Sequence, residues 1–230
     1  MFRVFAWIFR WAVLAALLCL ALAVFRTGAG PLRSSENWKH LLASPIAWTV
    51  LAGWGARFLL TRLWKNDPLE FLDTLEHELT HAVTGYLTFA PPVSLKATLR
   101  QGGEVELPRA NPLAALSPYF LPLYATLASL LTLVLKPDFL QYGRFAVAFL
   151  LGGFVYRFCR EFHLGQSDFG HYGFVFSFFF IAALLPLSIA GILEAARLWH
   201  LPWREGIWPL FVAQGKWAGH ALAGVFKKPG

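Results

Sequence analysis

Charged side chains are scarce in this chain. Asp, Glu, Lys and Arg make up 14% of its 230 residues and hydrophobic residues 57%, whereas a soluble domain carries about 25% charged residues. Residues 110–135 and 169–193 contain no formally charged side chain, and each run is long enough for a membrane-spanning helix, which needs about 20 residues. The composition therefore excludes an ordinary soluble domain and predicts an integral membrane protein.

Cysteine is nearly absent as well, and basic residues do not form a stripe. Cys19 and Cys159 are the only two cysteines and lie in or beside apolar segments, so they indicate no disulfide framework and identify no compartment. The 20 Lys and Arg residues give a net charge of +7, but they are spread through the loops between apolar segments. This distribution is typical of membrane flanks and argues against binding to nucleic acid.

Glycine and proline are both missing from residues 70–84, which favours a helix. We predict this helix over residues 68–89, with Asp67 as its N-cap and Pro68 at the first helical position. Its ionisable residues lie four apart among apolar ones, so one face of the helix is polar and the other is hydrophobic. Ionisable groups in a membrane-embedded helix are costly, and they usually face a bundle interior or a wet cavity and mark function.

The motif His-Glu-x-x-His lies inside this predicted helix. His77 and His81 are four residues apart, which places them on one face, and two neutral imidazoles so placed can bind one Zn²⁺. Glu78 follows the first histidine, where its carboxylate can take a proton from a metal-activated water. These residues are the minimal set for metal-assisted peptide hydrolysis. The alternative is a polar helix face carrying two hydrogen-bonded histidines.

Asp73 precedes His77 by one helical turn, and two interpretations of it are open. Its carboxylate can accept the second ring N–H of His77 and so fix the tautomer of a ligand. It can equally be an acidic residue of the first turn, favoured by the helix dipole.

A third metal ligand must come from elsewhere in the chain. We favour Asp168, because it lies where a polar break meets a long apolar run, so that its carboxylate can point back into the bundle beside His77 and His81. The other candidates are His163, His171, Glu161, Glu104 and Glu106.

A β-hairpin is predicted after the motif helix. Residues 93–99 and 104–107 alternate with period two on either side of Gln101-Gly102-Gly103. Such a hairpin beside a catalytic site offers an unpaired strand edge on which a peptide substrate can be held extended. A short surface hairpin without that role is the alternative.

Four stretches carry a resemblance to a known family: Glu-His-Glu-Leu-Thr-His-Ala at 76–82, Gly102-Gly103 in the hairpin, Ser117-Pro118 opening the next helix, and Gln166-Ser167-Asp168 before a late one. Together they cover about residues 69–193 and resemble the site-2 protease family of membrane-embedded zinc metalloproteases. The resemblance implies that His77, His81 and Asp168 hold Zn²⁺ and that Glu78 is the general base.

The expected fold is an all-α polytopic membrane protein of about five or six transmembrane helices, with a small β-hairpin after the motif helix. Residues 1–66 are expected to form accessory transmembrane helices, residues 67–193 the metalloprotease-like membrane core, and residues 194–230 an amphipathic or transmembrane tail. The first apolar run, 11–25, is either a cleaved signal or a first span, and we favour the span. Arg57 is predicted to reach toward a membrane interface.

Two further spans are predicted from the later apolar segments. Residues 142–156 are expected to form a short or tilted span that Arg157 closes, with Gly152-Gly153 for close packing. Pro118 and Pro122 are expected to lie in the first turns of the span that Ser117-Pro118 opens.

The expected function is hydrolysis of peptide bonds in membrane-associated substrates by a multi-pass protein, placed in a bacterial inner membrane. Its partners are the lipid bilayer and a membrane protein or peptide substrate, and nucleic acid is not expected. Two alternatives from other classes are a non-catalytic scaffold that retains a structural metal site, and a transporter. A transporter predicts ligands distributed along the membrane depth, whereas an enzyme predicts them clustered at one level.

Overall fold

The computed structural model describes residues 14, 15, 18, 21, 22, 44–63, 68–98, 102–108, 111–163, 165–170 and 172–198. Most of the predicted first helix, the N-cap Asp67, His171 and nearly all of the tail lie outside these residues. The division of the chain into accessory, core and tail parts therefore stays a prediction.

The described chain is mostly helical and contains one two-stranded antiparallel sheet. Its α-helices are α1 (Pro45–Leu63), α2 (Pro68–Leu87), α3 (Pro112–Leu116), α4 (Leu123–Thr132), α5 (Leu140–Glu161) and α6 (Phe174–Ala195), and its strands are β1 (Ser94–Thr98) and β2 (Gly102–Glu106). Short 3₁₀ helices lie at Ser117–Tyr119, Pro137–Phe139 and Ser167–Phe169.

Helix α2 carries the predicted motif and ends two residues earlier than expected. It begins at Pro68, as predicted, and after Leu87 the backbone turns, with Phe89 at a φ of 58°. The amide of Ala90 donates to the carbonyl of Gly85 at 2.8 Å, which closes the helix before Pro91-Pro92. A Cβ at Gly85 would lie 2.7 Å from the Ala90 carbonyl oxygen, so the tight reversal requires glycine there.

The predicted hairpin is confirmed, except that Gly102 and Gly103, which were expected in the turn, belong to the second strand. Strands β1 and β2 pair with Ser94 opposite Glu106 and Thr98 opposite Gly102. Gly102 has a φ of +80°, a left-handed conformation that glycine adopts without steric strain. The hairpin packs against α2, so it lies beside the motif helix.

Helices α1 and α5 pack closely, because small residues remove side-chain bulk between them. A Cβ at Gly53 of α1 would lie 2.8 Å from both the Ala148 side chain and the Phe145 carbonyl oxygen of α5. A Cβ at Gly153 would lie 3.0 Å from the guanidinium of Arg57. The Gly152-Gly153 pair was expected to allow close packing, and this prediction is confirmed.

The apolar run 110–135 does not form one continuous helix. Residues Pro112–Tyr119 and Leu123–Thr132 are helical, but the two parts meet at an angle of 80°. Proline explains the break, because the ring of Pro122 would clash with the carbonyl of Pro118 in a continuous helix. The expectation that both prolines are tolerated in the opening turns of a single span is therefore wrong.

Two helices of the described chain are long and apolar enough to cross a membrane, Pro137–Glu161 and Phe174–Ala195, and the bent pair adds a third if it forms one span. A membrane protein is the class that these helices indicate. The larger number of five or six spans includes residues outside the described chain.

Two arginines do not lie where the sequence placed them. Arg57 was predicted to reach toward a membrane interface, but it is buried with 4% of its surface exposed. Arg157 was predicted to close a short helix, yet α5 continues to Glu161 and Arg157 is only 1% exposed. Both side chains turn inward because buried acidic groups on α2 attract them.

Candidate metal centre

The two histidines of the motif share one buried face of α2, as predicted. His77 and His81 are 9% and 6% exposed, and their ring centroids are 5.0 Å apart with the planes inclined at 71°. One helical turn separates them along the axis, so both rings reach the same volume beside the helix.

Asp168 joins the two histidines at this point. Its Oδ2 lies 3.4 Å from Nε2 of His77 and 3.7 Å from Nε2 of His81. The donor atoms of the three residues all lie within 4.8 Å of one another, which makes them a group that can hold a metal ion. The structure therefore brings together the three residues that the sequence selected, and their role as metal ligands stays a prediction.

The spacing of the donor atoms fits a small divalent cation. Bonds of about 2.0–2.1 Å arranged tetrahedrally separate neighbouring donor atoms by about 3.4 Å. The His77–Asp168 and His81–Asp168 separations are 3.4 and 3.7 Å, so these two pairs of donor atoms already have about the spacing that one ion requires. Two imidazoles and a carboxylate suit several transition metals, and the set leaves room for a fourth, non-protein ligand.

The orientation of His81 is set by the short helix α3. Its Nδ1 lies 2.8 Å from the carbonyl oxygen of Ala114, and because a carbonyl only accepts, Nδ1 carries the proton and Nε2 is free to bind a metal. Asn111 caps α3 by accepting from the Ala114 amide at 2.9 Å. Its Nδ2 also donates to Thr88 Oγ1 at 2.8 Å, which fixes the start of α3 to the end of α2.

Asp168 is held by Tyr119, a residue that the sequence did not single out. The Tyr119 hydroxyl donates to Oδ2 of Asp168 at 2.8 Å, and Tyr119 is 1% exposed. Burial favours the protonated form of Asp168, but the rings of His77 and His81 outweigh it and hold the pKa of this carboxyl well below its usual range. Asp168 is therefore ionised at neutral pH, in the form that binds a metal.

Glu78 lies under the tip of the hairpin. It is 8% exposed, and a Cβ placed on Gly103 would lie 2.8 Å from its Oε1. Only glycine leaves room for the Glu78 carboxylate at this position. The sequence predicted a hairpin next to the site, but it did not predict that the hairpin lies directly on the motif glutamate.

Asp73 plays neither of the roles predicted for it. Arg57 Nη2 donates to its two carboxylate oxygens at 2.6 and 2.5 Å, so the carboxylate does not accept from His77. It is not a first-turn residue either, since Glu70 is the acidic residue of the first turn of α2. A buried arginine on α1 compensates its charge instead.

Arg157 connects Asp73 to Glu76, which lies in the next turn of α2. Its Nη1 donates to the backbone carbonyl of Asp73 at 2.7 Å, and its Nη2 lies 3.5 Å from Oε2 of Glu76. The other oxygen of Glu76 accepts from the amide of Tyr124 at 2.8 Å, one of the N–H groups that the first turn of α4 leaves without an intrahelical partner. We call Arg57, Asp73, Glu76 and Arg157 the arginine cluster.

The remaining candidates for a third ligand do not join the group. His163, Glu104 and Glu106 are described residues that are absent from it. Glu161 is also absent, but its Oε2 lies 3.2 Å from Nδ1 of His77, on the opposite side of the ring from Asp168. His171 lies outside the described residues.

Comparison with known proteins finds no match to any family model, curated protein or solved structure.

Proposed function

We propose that this chain is an intramembrane zinc metallopeptidase that hydrolyses peptide bonds of membrane-associated substrates. The observation that carries the proposal is the convergence of His77, His81 and Asp168 on one point, with the carboxylate of Glu78 on the same helix. Two imidazoles, one carboxylate and an open fourth position form a donor set of the kind found in catalytic zinc sites.

The chemistry divides between the metal and the protein. A bound Zn²⁺ supplies a Lewis acid that lowers the pKa of water and polarises a carbonyl. Glu78 takes the proton from the attacking water and returns it to the leaving amine, which is the work of a general base that becomes a general acid. Asp168 is fixed by Tyr119 and His81 by Ala114, so both residues are oriented before a substrate binds.

The hairpin suits an extended substrate. Within the described chain, β1 and β2 pair only with each other, so each strand keeps one edge able to add a peptide by main-chain hydrogen bonding. Because Gly103 of β2 lies against Glu78, a peptide on that hairpin would pass close to the general base.

The setting of the proposed enzyme is a lipid bilayer. Apolar helices that flank the site, α5 and α6, are long enough to span it. We propose a multi-pass protein of about five or six spans in a bacterial inner membrane, which is the organisation that a site-2 protease-like core implies. Its partners are the bilayer and a membrane protein or peptide substrate.

Two other functions make different demands on the same residues. A transporter calls for ligands distributed along the membrane depth, but the three donor atoms lie within 4.8 Å of one another. A non-catalytic scaffold needs the metal ligands but has no use for Glu78. The variant Glu78→Gln therefore separates an enzyme from a scaffold.

The test compares membranes of cells that express wild type, Glu78→Gln or Glu70→Gln. Glu70 is an exposed acid in the first turn of the same helix and serves as the matched control. Zinc content is measured on each purified protein, and new N-termini in the membrane fraction are identified by mass spectrometry.

We expect equal zinc in all three proteins. New N-termini within or beside apolar segments should appear with wild type and Glu70→Gln and be missing with Glu78→Gln. Equal sets of N-termini from all three proteins and from cells with empty vector would overturn the peptidase proposal, while retained zinc would then support the scaffold.

A further inference from the structure

We infer that Glu161, the last residue of α5, is a positioning residue that orients His77 and strengthens it as a metal ligand. This inference rests on the metal-binding part of the proposed function and not on peptide hydrolysis. It gives a role to a carboxylate that the sequence offered only as a possible third ligand.

The His77 ring lies between two carboxylates. Its Nδ1 is 3.2 Å from Oε2 of Glu161, and its Nε2 is 3.4 Å from Oδ2 of Asp168. A neutral imidazole has one N–H and one lone pair, and only the nitrogen with the lone pair can bind a metal. With Asp168 in the ligand group, the metal side of the ring is Nε2, so Nδ1–H points at Glu161.

The two histidines consequently have different partners for the ring nitrogen that faces away from the metal. His81 directs its Nδ1 to the neutral carbonyl of Ala114, whereas His77 directs its Nδ1 to a charged carboxylate. Hydrogen bonds to ionised acceptors are about twice as strong as neutral ones. A carboxylate acceptor also raises the basicity of the ligand histidine, so His77 is expected to be the stronger donor of the pair.

Glu161 is itself held in place from the opposite side. Arg160 Nη2 lies 3.3 Å from Oε1 of Glu161, and Arg160 Nη1 donates to Oε1 of Glu70 at 2.9 Å. Glu70 is in the first turn of α2, so the end of α5 and the start of α2 meet at this contact. Glu161 therefore contacts His77 through Oε2 and Arg160 through Oε1.

The test measures metal affinity and ligand geometry on purified protein without a peptide substrate. Wild type, Glu161→Ala and Glu161→Gln are titrated with Zn²⁺ against a competing chelator. Each protein is then loaded with Co²⁺, whose visible absorption reports the ligand field. Glu70→Gln is the matched control, because it removes the other carboxylate from Arg160 and leaves His77 untouched. Asp168→Ala shows the loss of a direct ligand.

We expect Glu161→Ala to bind Zn²⁺ about 10–100-fold more weakly than wild type, with a shifted but intact Co²⁺ spectrum. Glu161→Gln should lie between Ala and wild type, because its amide oxygen still accepts from Nδ1–H but carries no charge. Glu70→Gln should match wild type. A structural tie between α2 and α5 alone would weaken binding equally in Glu70→Gln and Glu161→Gln.

Three outcomes would overturn the inference. Unchanged affinity and spectrum in Glu161→Ala would show that Glu161 does not act on the metal site. Complete loss of metal in Glu161→Ala, as in Asp168→Ala, would make Glu161 a direct ligand instead. Equally weakened Zn²⁺ binding in Glu70→Gln and Glu161→Gln would show that Glu161 acts only as a structural tie between α2 and α5. Failure of wild type to bind metal would be a different result, because it would overturn the proposed function itself.

Discussion

Helix α2 carries two buried polar clusters that meet at Glu76 and His77, and the buried charges in the two clusters are compensated in different ways. The arginine cluster sets two guanidinium groups against two carboxylates. The histidine cluster, defined as His77, His81, Asp168 and Glu78, sets two imidazoles against two carboxyl groups.

The difference lies in the formal charge. The arginine cluster is neutral when all four groups are ionised, so its charges are compensated within the chain. The histidine cluster has two carboxyl groups and no arginine or lysine of its own, so its net charge depends on the protons or the metal ion that its imidazoles bind. Buried charge must be paired or must bind a metal, and under the proposed function a divalent cation would complete this cluster. One cluster is thus compensated within the chain, while its neighbour on the same helix has donor atoms that can hold an ion.

The largest effect is expected from Arg157→Met. It removes the ion-pair partner of Glu76 and the donor to the Asp73 carbonyl, and breaking a buried ion pair costs about 3–5 kcal/mol. The free energy of unfolding in detergent micelles, measured with chelator present, should fall by that amount. Arg160→Met is the control, because its ion pairs are partly exposed and should cost about 0–1 kcal/mol. Equal losses of unfolding free energy in both variants would contradict the expected difference between a buried and a partly exposed arginine on α5.

Asp168→Asn should affect the other cluster and leave the first intact. Loss of an anionic ligand is expected to weaken Zn²⁺ binding by more than about 100-fold, beyond what removal of an outer hydrogen-bonding partner costs. Stability of the metal-free protein should fall by less than in Arg157→Met, because an asparagine side-chain oxygen at this position still accepts from the Tyr119 hydroxyl. Chelator competition and denaturation report the two quantities separately. A large loss of metal-free stability would mean that the clusters are not independent.

Tyr119→Phe should give a smaller loss of the same kind. It removes the hydroxyl that donates to Asp168 and keeps the ring, so Zn²⁺ affinity should fall by about tenfold, or about 1.4 kcal/mol. Tyr124→Phe is a suitable control, since Tyr124 contributes its backbone amide to Glu76. If both variants bind Zn²⁺ as wild type does, the Tyr119 hydroxyl does not orient Asp168.

The smallest effect is expected at the α3 cap. Asn111→Ala removes the side chain that accepts from the Ala114 amide, and loss of an N-cap costs about 1 kcal/mol of stability. Asn111→Asp keeps an acceptor and should recover most of that loss. Since Ala114 also orients His81, a small decrease in metal affinity should accompany the alanine variant. Equal stability of Asn111→Ala and wild type would contradict the capping role.

Local patterns predicted a large part of this site. The helical spacing placed His77 and His81 on one face, the period-two alternation located the hairpin, and the position of Asp168 at the start of an apolar run favoured it over five other candidates. These features depend on residues close together in the chain. The same kind of reasoning failed for the prolines at 118 and 122, because a continuous apolar composition concealed an 80° bend.

The errors concern partners that are far apart in sequence. Arg57 lies 16 residues from Asp73, and Arg157 lies 84 residues from it. An isolated arginine between apolar residues is expected to reach for a membrane interface, and nothing in the local pattern shows that a carboxylate on another helix will attract it inward. Tyr119 escaped notice for the same reason, since its partner Asp168 is 49 residues away.

The sequence by itself determined that this chain is rich in apolar helices, that one of them presents two imidazoles and an acid on a polar face, and that a hairpin follows it. Those properties arise from residue type and from the fixed periods of helix and strand. Only the tertiary structure decided which carboxylate lies beside both imidazoles, which one contacts Nδ1 of His77, and which acids form ion pairs with arginine. Those outcomes depend on how α1, α5 and the Asp168 segment pack around α2, and packing is fixed by contacts between distant parts of the chain.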